Sequence, residues 1–327
     1  MHESTDRIPL TRLRTAEPYR DRLAADVRAG LAGPKRSLPP IHLYDARGSA
    51  LFEQITELDE YYPTRTELGI LDAHLDALVA AVEPDEVVEL GSGSAVKAAR
   101  LVAAMQQVGA SRYVPFDISE SAVVGAATQL RADHPWLEVD PHLGDFQLDL
   151  QAIPRRGRRL VAFLGSTIGN LGVAERGELL GQFATMLGPD GGLLLGIDLV
   201  KAAHVLEAAY DDAAGVTAAF NRNVLQVINR ELDGDIPVDA FTHRAVWDPE
   251  AEGIEMHLVA TRDVRARIAA VDLELTMDAG EYILTEHSYK FRIDRFRDEL
   301  AAAGLELTEV ATDPQDRFAV VLARGAA

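Results

Sequence analysis

The stretch ILTEHSYKF at residues 283–291 carries a carboxylate and a hydroxyl two positions apart, at Glu286 and Ser288. Ile283 and Leu284 follow a turn-like Asp-Ala-Gly segment, which predicts that the stretch begins as a strand. Residues two apart in an extended chain point to the same side, so Glu286 and Ser288 would face one spot together. A carboxylate accepts hydrogen bonds and a hydroxyl donates or accepts them, so this pair could read a small polar ligand.

A second set of candidate residues follows the first apolar stretches of the chain. The string VELGSGS puts Gly91 and Gly93 where a strand turns into a helix, and glycines there let a ligand approach the backbone. Asp117 ends the next strand, where an acidic side chain suits ribose hydroxyls. Asp145 and Phe146 end a third strand, and a carboxylate beside an aromatic ring suits an adenine amine and ring. Each could be a turn or cap residue; together, on successive strands, they predict a nucleotide-containing cofactor.

The elements that must position these residues alternate between strands and helices. Apolar strands are predicted within 86–90, 113–119, 137–146, 159–170 and 191–200, with helices between them. Apolar strands alternating with helices indicate a parallel sheet covered on both faces. A helix at 293–304 and two further strands follow near the end. The predicted fold class is therefore α/β, with a Rossmann-like doubly wound sheet.

Two segments lie outside this alternation. Residues 201–289 are predicted to be helical up to 231 and then an antiparallel meander of four strands, one of them at 266–277. Because an ordinary crossover needs far fewer than about 90 residues, a second α+β domain is predicted, inserted after the fifth strand. Upstream, a helix is predicted from about Thr64, since Thr64 and Glu67 have the spacing of a capping box.

Composition narrows the class of partner. The formal net charge of −20 repels phosphate backbones and anionic lipid surfaces, which argues against nucleic acid and membrane. There is no cysteine, so disulfides and thiolate chemistry are excluded. The chain has no run of 18 apolar residues and its first residues lack an apolar signal segment, so we expect a cytoplasmic protein with a small-molecule substrate.

Two nucleotide cofactors compete for the glycine turn. A dinucleotide fingerprint needs a third glycine, and Val96 stands at that position. The string ELGSGS and the closing helix with two strands are instead typical of methyltransferases that use S-adenosylmethionine. A nicotinamide-dependent oxidoreductase and a non-catalytic protein of the same fold remain alternatives on these observations.

Longer strings across residues 21–325 resemble the bacterial L-histidine Nα-methyltransferases of ergothioneine biosynthesis; among them are EYYPTRTE, VELGSG, FLGSTIGNL, DLVK and AYDDAAGVTAAFNRNVL. The resemblance implies a cofactor-binding domain at 65–200 and 290–327 and a substrate-binding domain at 10–64 and 201–289. It implies cofactor contacts from Gly91, Lys97, Asp117, Asp145 and Phe146. It implies substrate contacts from Tyr44, Tyr61, Gly165, Asn170, Tyr210, Met256, Glu286 and Ser288, with Tyr44 and Asn170 near the reacting amine.

The implied reaction is three methyl transfers from S-adenosylmethionine to the α-amine of histidine, which yield hercynine and S-adenosylhomocysteine, with no metal. Methylation of another small molecule at nitrogen or oxygen is the alternative. We expect a monomer. His257, His287 and Tyr289 depart from the family pattern, and in an extended chain they would point away from Glu286 and Ser288.

Overall fold

The structure is a computed structural model that describes residues 9–13, 19–93 and 95–326; Ser94 of the glycine turn and residues 14–18 of the predicted substrate domain lie outside them. The strands are β1 (Thr11–Arg12), β2 (Arg36–Ser37), β3 (Glu86–Leu90), β4 (Arg112–Asp117), β5 (Glu138–Val139), β6 (His142–Leu143), β7 (Arg159–Phe163), β8 (Gly192–Asp198), β9 (Phe241–Asp248), β10 (Gly253–Ala260), β11 (Val264–Ile268), β12 (Leu273–Met277), β13 (Tyr282–Tyr289), β14 (Leu305–Thr312) and β15 (Phe318–Gly325). The α-helices are α1 (Tyr19–Leu31), α2 (Ala46–Thr56), α3 (Tyr62–Val82), α4 (Ala95–Val108), α5 (Glu120–Asp133), α6 (Val173–Leu187), α7 (Ala203–Tyr210), α8 (Val216–Glu231) and α9 (Ile293–Ala302).

The largest sheet has the order β1-β6-β4-β3-β7-β8-β15-β14, with β5 beside β4. Strands β4, β3, β7 and β8 are parallel neighbours, whereas β15 runs antiparallel to β8 and β14 antiparallel to β15. Every residue of β3, β7 and β8 is buried, as expected for strands covered by helices on both faces. The predicted doubly wound α/β class is confirmed, and the two predicted closing strands join the same sheet.

A second sheet has the order β2-β13-β10-β9. Its inner face packs with α1, α2, α7 and α8 into one apolar cluster that draws its buried residues from 23–62 and 206–283. Two further clusters lie on either side of the large sheet. The chain thus builds a second core from its N-terminal segment and from the segment that follows β8.

Three predicted elements differ from the structure. The third strand, predicted over 137–146, is two short strands separated by Asp140 and Pro141, because proline cannot donate to a central ladder. The apolar run at 159–170 is a strand only to Phe163 and then turns into a 3₁₀ helix at Thr167–Asn170. The strand predicted at 266–277 is instead the hairpin of β11 and β12, a sheet of its own broken at Ala269–Val271.

Helix α3 starts at Tyr62, two residues before Thr64, and Pro63 occupies its first turn, where a missing N–H costs nothing. Glu67 therefore lies inside the helix and forms no capping box. Its side chain is fully buried and reaches across to the large sheet.

Candidate active site

The turn after β3 leaves room for a ligand at the backbone. Gly91 has φ +71°, and a Cβ added there would meet no heavy atom within 4 Å. The next residue, Ser92, is 1% exposed, and its hydroxyl has no hydrogen-bond partner in the described part of the chain. A buried hydroxyl without a partner is uncommon in folded proteins and fits a ligand that supplies the bond.

Asp117 lies at the carboxyl end of β4, beside that turn. One carboxylate oxygen accepts the backbone N–H of Ser119 at 2.8 Å. Burial raises the pKa of Asp117, against the lowering effect of backbone hydrogen bonds from Ser119 and Ile118. A partly buried carboxylate held by backbone bonds in this way is placed to accept hydrogen bonds from ligand hydroxyls.

Asp145 and Phe146 lie together after β6. Asp145 accepts a hydrogen bond from Arg22 of α1, with 2.7 Å between Nη1 and Oδ2, and another from the backbone of Gln147 at 2.9 Å. The Phe146 ring is tilted against Phe163, with 5.3 Å between centroids. The contact from Arg22 was not predicted, and nothing in the local sequence pairs residues 22 and 145.

Lys97, in the first turn of α4, pairs with the buried Glu67, with 2.6 Å between Nζ and Oε2. The other Glu67 oxygen accepts the backbone N–H of Gly165 at 2.7 Å. Gly165 has φ +79°, and the absence of a side chain at Gly196 gives Glu67 its space, because a Cβ there would lie 2.0 Å from Oε1. One side chain of α3 thus holds a predicted cofactor residue and a predicted substrate residue.

The 3₁₀ helix that ends at Asn170 packs directly on β13. A Cβ at Gly169 would lie 2.7 Å from the carbonyl oxygen of Tyr289, so only glycine allows this approach. Ser166, at φ +57°, accepts the backbone N–H of Asp198 through its hydroxyl at 2.9 Å. These contacts bring the ends of β7 and β8 to the strand that carries Glu286.

Aromatic side chains from the N-terminal segment and the second core meet beside that strand. Tyr44 is 40% exposed and lies edge-on to Phe220, 5.3 Å between centroids, while Tyr61 and Tyr210 are 9% exposed and lie 6.1 Å apart. Phe52 lies between Tyr44 and Tyr61. Burial is the main cause that raises the pKa of both Tyr61 and Tyr210 well above 10. Both phenols therefore stay protonated near neutral pH.

Strand β13 carries Glu286 inward beside Met256. Met256 and Glu286 are direct partners in the β10–β13 ladder, and they are 1% and 7% exposed. Within the described residues the Glu286 carboxylate makes no hydrogen bond. Burial raises its pKa to about 7, although the charge of Lys290 acts in the opposite direction. This partnerless buried carboxylate is the strongest sign of a ligand in the second core.

A β-bulge fixes the direction of Glu286. Met256 pairs with Glu286 and His257 pairs with Leu284, so Thr285 is an extra residue in β13. Its hydroxyl lies 2.6 Å from Asn221 Oδ1 and 3.0 Å from the Met256 carbonyl oxygen. The Asn221 amide also lies 2.8 Å from Nδ1 of His243, whose Nε2 lies 2.7 Å from the Tyr210 carbonyl oxygen. Buried hydrogen bonds through Asn221 therefore connect the backbone at Tyr210 with the strand that carries Glu286.

The residues that depart from the family pattern form stacked pairs of their own. The rings of His287 and Tyr289 lie 3.8 Å apart, and those of His257 and Tyr282 lie 3.9 Å apart. His257 also contacts Glu255, the ladder partner of His287, on the side opposite Met256. All three departures therefore face away from Glu286.

The site has two buried charged residues that local sequence patterns did not reveal. Glu67 belongs to the string EYYPTRTE, and Lys290 follows Ser288 in LTEHSYK. The Ser288 hydroxyl lies 2.9 Å from Oη of Tyr210 and 2.8 Å from Nζ of Lys290. Across residues 9–13, 19–93 and 95–326, no three or more histidine, aspartate or glutamate side chains are grouped to hold a metal ion. Over the same residues, no helix combines the length and apolar character needed to cross a membrane.

The parallel sheet with its antiparallel ending, together with the family match given below, defines the class of protein: a Rossmann-like methyltransferase dependent on S-adenosylmethionine. A solved S-adenosylmethionine-dependent methyltransferase from Clostridium acetobutylicum shares this fold, with a TM-score of 0.51 and 9% identity over 86% of this chain and 98% of that one.

The family follows from the sequence match. The protein-family model described as "Histidine-specific methyltransferase, SAM-dependent" matches residues 23–325 of the sequence. The chain belongs to this family of N-methyltransferases. It is 49% identical to a histidine N-alpha-methyltransferase of Mycolicibacterium smegmatis, over 97% of this chain and 99% of that protein. It is 48% identical to a histidine N-alpha-methyltransferase of Mycobacterium tuberculosis, over 92% of this chain and 94% of that protein.

Proposed function

We propose that this enzyme transfers three methyl groups in turn from S-adenosylmethionine to the α-amino group of L-histidine, giving hercynine as the first step of ergothioneine biosynthesis. The observation that carries the choice of substrate is the buried Glu286 carboxylate without a hydrogen-bond partner among the described residues. A neutral imidazole offers one N–H donor and one acceptor, and an ionised carboxylate can only accept. Glu286 would therefore take the ring N–H, with Tyr61 beside it and Met256 as an apolar wall.

The cofactor end fits S-adenosylmethionine. Asp117 would accept hydrogen bonds from the ribose hydroxyls, Asp145 and Phe146 would hold the adenine, and Lys97 would pair with the carboxylate of the cofactor. Gly91 and Ser92, whose hydroxyl has no hydrogen-bond partner among the described residues, would lie beside the cofactor. When bound, this cofactor supplies a methyl group that its sulfonium has already activated.

The chain's own contribution at the amine is positioning. The acceptor must reach the methyl group as a neutral amine with its lone pair in line, and fixed geometry of this kind supplies a large part of the rate of a group transfer. Asn170, at the end of the 3₁₀ helix, and Tyr44 would hydrogen-bond the amine, and Tyr210 would bind the amino acid backbone beside them. Gly165 presents no side chain there, which leaves space for an amine that gains methyl groups.

The assignment of cofactor binding and substrate binding to two domains follows the two apolar cores. We propose that 65–200 with 290–327 binds the cofactor and that 10–64 with 201–289 binds the substrate, since the second core draws on both N-terminal and inserted residues. We further propose a cytoplasmic monomer that releases S-adenosylhomocysteine and uses no metal. Light scattering after size-exclusion chromatography tests the monomer.

The test of the reaction is mass spectrometry of histidine incubated with the enzyme and S-adenosylmethionine. We expect species with one, two and three added methyl groups, and the trimethylated product should accumulate. Omission of enzyme and treatment with a chelator are the controls. Absence of any methylated histidine would refute the substrate, and a product that stops at one methyl group would refute trimethylation.

A further inference from the structure

Lys290 is a buried ammonium that makes two hydrogen bonds and one ion pair at the edge of the site. It follows β13, and its side chain has no exposed surface. Its Nζ lies 2.9 Å from Tyr210 Oη, 2.8 Å from Ser288 Oγ and 3.1 Å from Asp198 Oδ2. An ammonium is a donor only, so the Tyr210 and Ser288 oxygens both accept from Lys290, while the Asp198 carboxylate balances its charge.

The carboxylate that pairs with Lys290 is shared with a second lysine. Asp198, at the end of β8, is 1% exposed and also binds Lys201 at 2.6 Å. The Tyr62 hydroxyl donates to Asp198 at 2.8 Å and accepts from Lys201 at 2.7 Å. Two ammonium groups thus share one carboxylate, and the one that borders the substrate-binding residues is Lys290.

The Lys290 bonds restrict where two hydroxyl hydrogens can point. Tyr210 Oη and Ser288 Oγ both accept from Lys290, and they lie 2.9 Å apart. One O–H can lie between the two oxygens, but the second cannot occupy the same line. A hydroxyl hydrogen is therefore left for a ligand, next to a buried positive charge.

The same strand face has opposite electrostatic character at its two ends. Ser288 and Lys290 contact each other, whereas Glu286, two residues before Ser288, presents a carboxylate. An anionic group would be repelled by Glu286 and stabilised at the Tyr210–Ser288 hydroxyls. Ser288, predicted from sequence to face one spot with Glu286, is by its contacts grouped with Tyr210 and Lys290.

We propose that Lys290 is a positioning residue that acts through the Tyr210 and Ser288 hydroxyls, fixing them as the place where the substrate's carboxylate binds and thereby excluding amines that lack one. This inference rests on the proposed function, because it takes histidine as the substrate. Lys290 does not itself need to touch the substrate; it sets the donor direction and the charge that the carboxylate meets.

The test compares histidine with histamine, which has the same ring and amine but no carboxylate. Calorimetry with S-adenosylhomocysteine present measures both affinities in the parent, Lys290→Met and Lys201→Met proteins. Loss of a charged hydrogen-bonding group should weaken histidine binding by about 10- to 150-fold in Lys290→Met, while histamine binding changes little. Lys201→Met removes an ammonium from the same carboxylate without touching the hydroxyls, so it should keep the parent's preference for histidine.

Two further measurements separate positioning from general damage. If Lys290 acts through Tyr210, the effects of Lys290→Met and Tyr210→Phe on histidine affinity should sum to more than the effect of the double variant. Lys290→Gln, which keeps two N–H donors, takes the place of Lys290→Met if the latter does not fold by circular dichroism. An equal loss for histidine and histamine, or the same loss of preference in Lys201→Met, would overturn the proposal. A parent that shows this preference without methylating histidine would refute the proposed function and leave the role of Lys290 standing.

Discussion

The Glu67 carboxylate lies 2.6 Å from the Lys97 ammonium and at the same time accepts the backbone N–H of Gly165 at 2.7 Å. A single residue of α3 thus contacts Lys97 of the proposed cofactor site and Gly165 of the proposed substrate site. We predict that Glu67→Ala lowers both cofactor affinity and kcat/KM for histidine, each on the order of tenfold or more, because two charge-assisted contacts are lost. Lys97→Met should affect mainly the cofactor, as measured by calorimetry and steady-state kinetics. Unchanged histidine kinetics in Glu67→Ala, at saturating cofactor, would contradict the double role.

Asp117→Ala should weaken cofactor binding by about 10- to 150-fold, since a charged hydrogen-bonding partner contributes roughly 1.5–3 kcal/mol. Calorimetric titration with S-adenosylhomocysteine measures the change. Glu120→Ala is the matched control, because Glu120 is a nearby acid whose side chain is 53% exposed and paired with Arg12. If both variants bind the cofactor like the parent, Asp117 does not hold the ribose.

Asn170→Ala and Tyr210→Phe should raise KM for histidine while leaving cofactor affinity nearly intact. Both residues belong to the proposed substrate site, Asn170 in the 3₁₀ helix against β13 and Tyr210 at the end of α7. Initial-rate kinetics and calorimetry on the same preparations separate the two quantities. Tyr289→Phe, which removes a phenol from the face that points away, serves as the control. Parent-like kinetics in both test variants would rule the assignment out.

Glu286→Ala should lose histidine turnover and relax the preference toward aromatic or apolar amino acids. A substrate without a polar ring would leave the buried carboxylate unpaired in the parent, a cost of several kcal/mol that the variant no longer carries. Turnover of histidine, phenylalanine and tryptophan in the parent and the variant measures the shift. Glu255→Ala, on the opposite face of the neighbouring strand, should keep the parent's order. An unchanged preference in Glu286→Ala would show that Glu286 does not read the imidazole.

The raised pKa of Glu286 also predicts how stability depends on pH. The pKa of Glu286 is about 7 in the folded protein and ordinarily 4.5. The stability that its protonated form contributes is therefore complete below pH 4.5 and is lost as the pH rises through 7. Glu286→Gln carries no such loss. Relative to the parent, the variant should therefore gain about 2–3 kcal/mol in the free energy of unfolding between pH 4.5 and pH 8. Urea unfolding at both pH values tests this, and a constant difference would mean that the carboxyl titrates near its ordinary value.

The features that sequence predicted are those that depend on neighbouring residues. Apolar runs located β3, β4, β7 and β8, and the glycine turn and Asp117 followed from the ends of those strands. The spacing of Glu286 and Ser288 also placed both side chains on one face. These properties depend on local periodicity, which the sequence displays directly.

The features that it missed depend on distant residues. Glu67 and Lys97 lie on different helices, and Asp198 ends a strand of the large sheet whereas Lys290 follows a strand of the second sheet, so no spacing along the chain brings either pair together. The hairpin of β11 and β12 has the same alternating composition as a single longer strand. The extra residue at Thr285 is visible only once β13 is paired with β10.

The extra residue Thr285 affects the direction in which the Glu286 side chain points, independently of which side chain stands at that position. Removing Thr285 would leave every pair of the β10–β13 ladder in place, because Leu284 would still face His257 and Glu286 would still face Met256. What would change is the bend that a bulge puts into its strand, and with it the angle at which the Glu286 carboxylate enters the site. Evolution or design can thus redirect this carboxylate through the insertion or deletion of a single codon. Such a change would admit substrates of a different shape without exchanging any functional group.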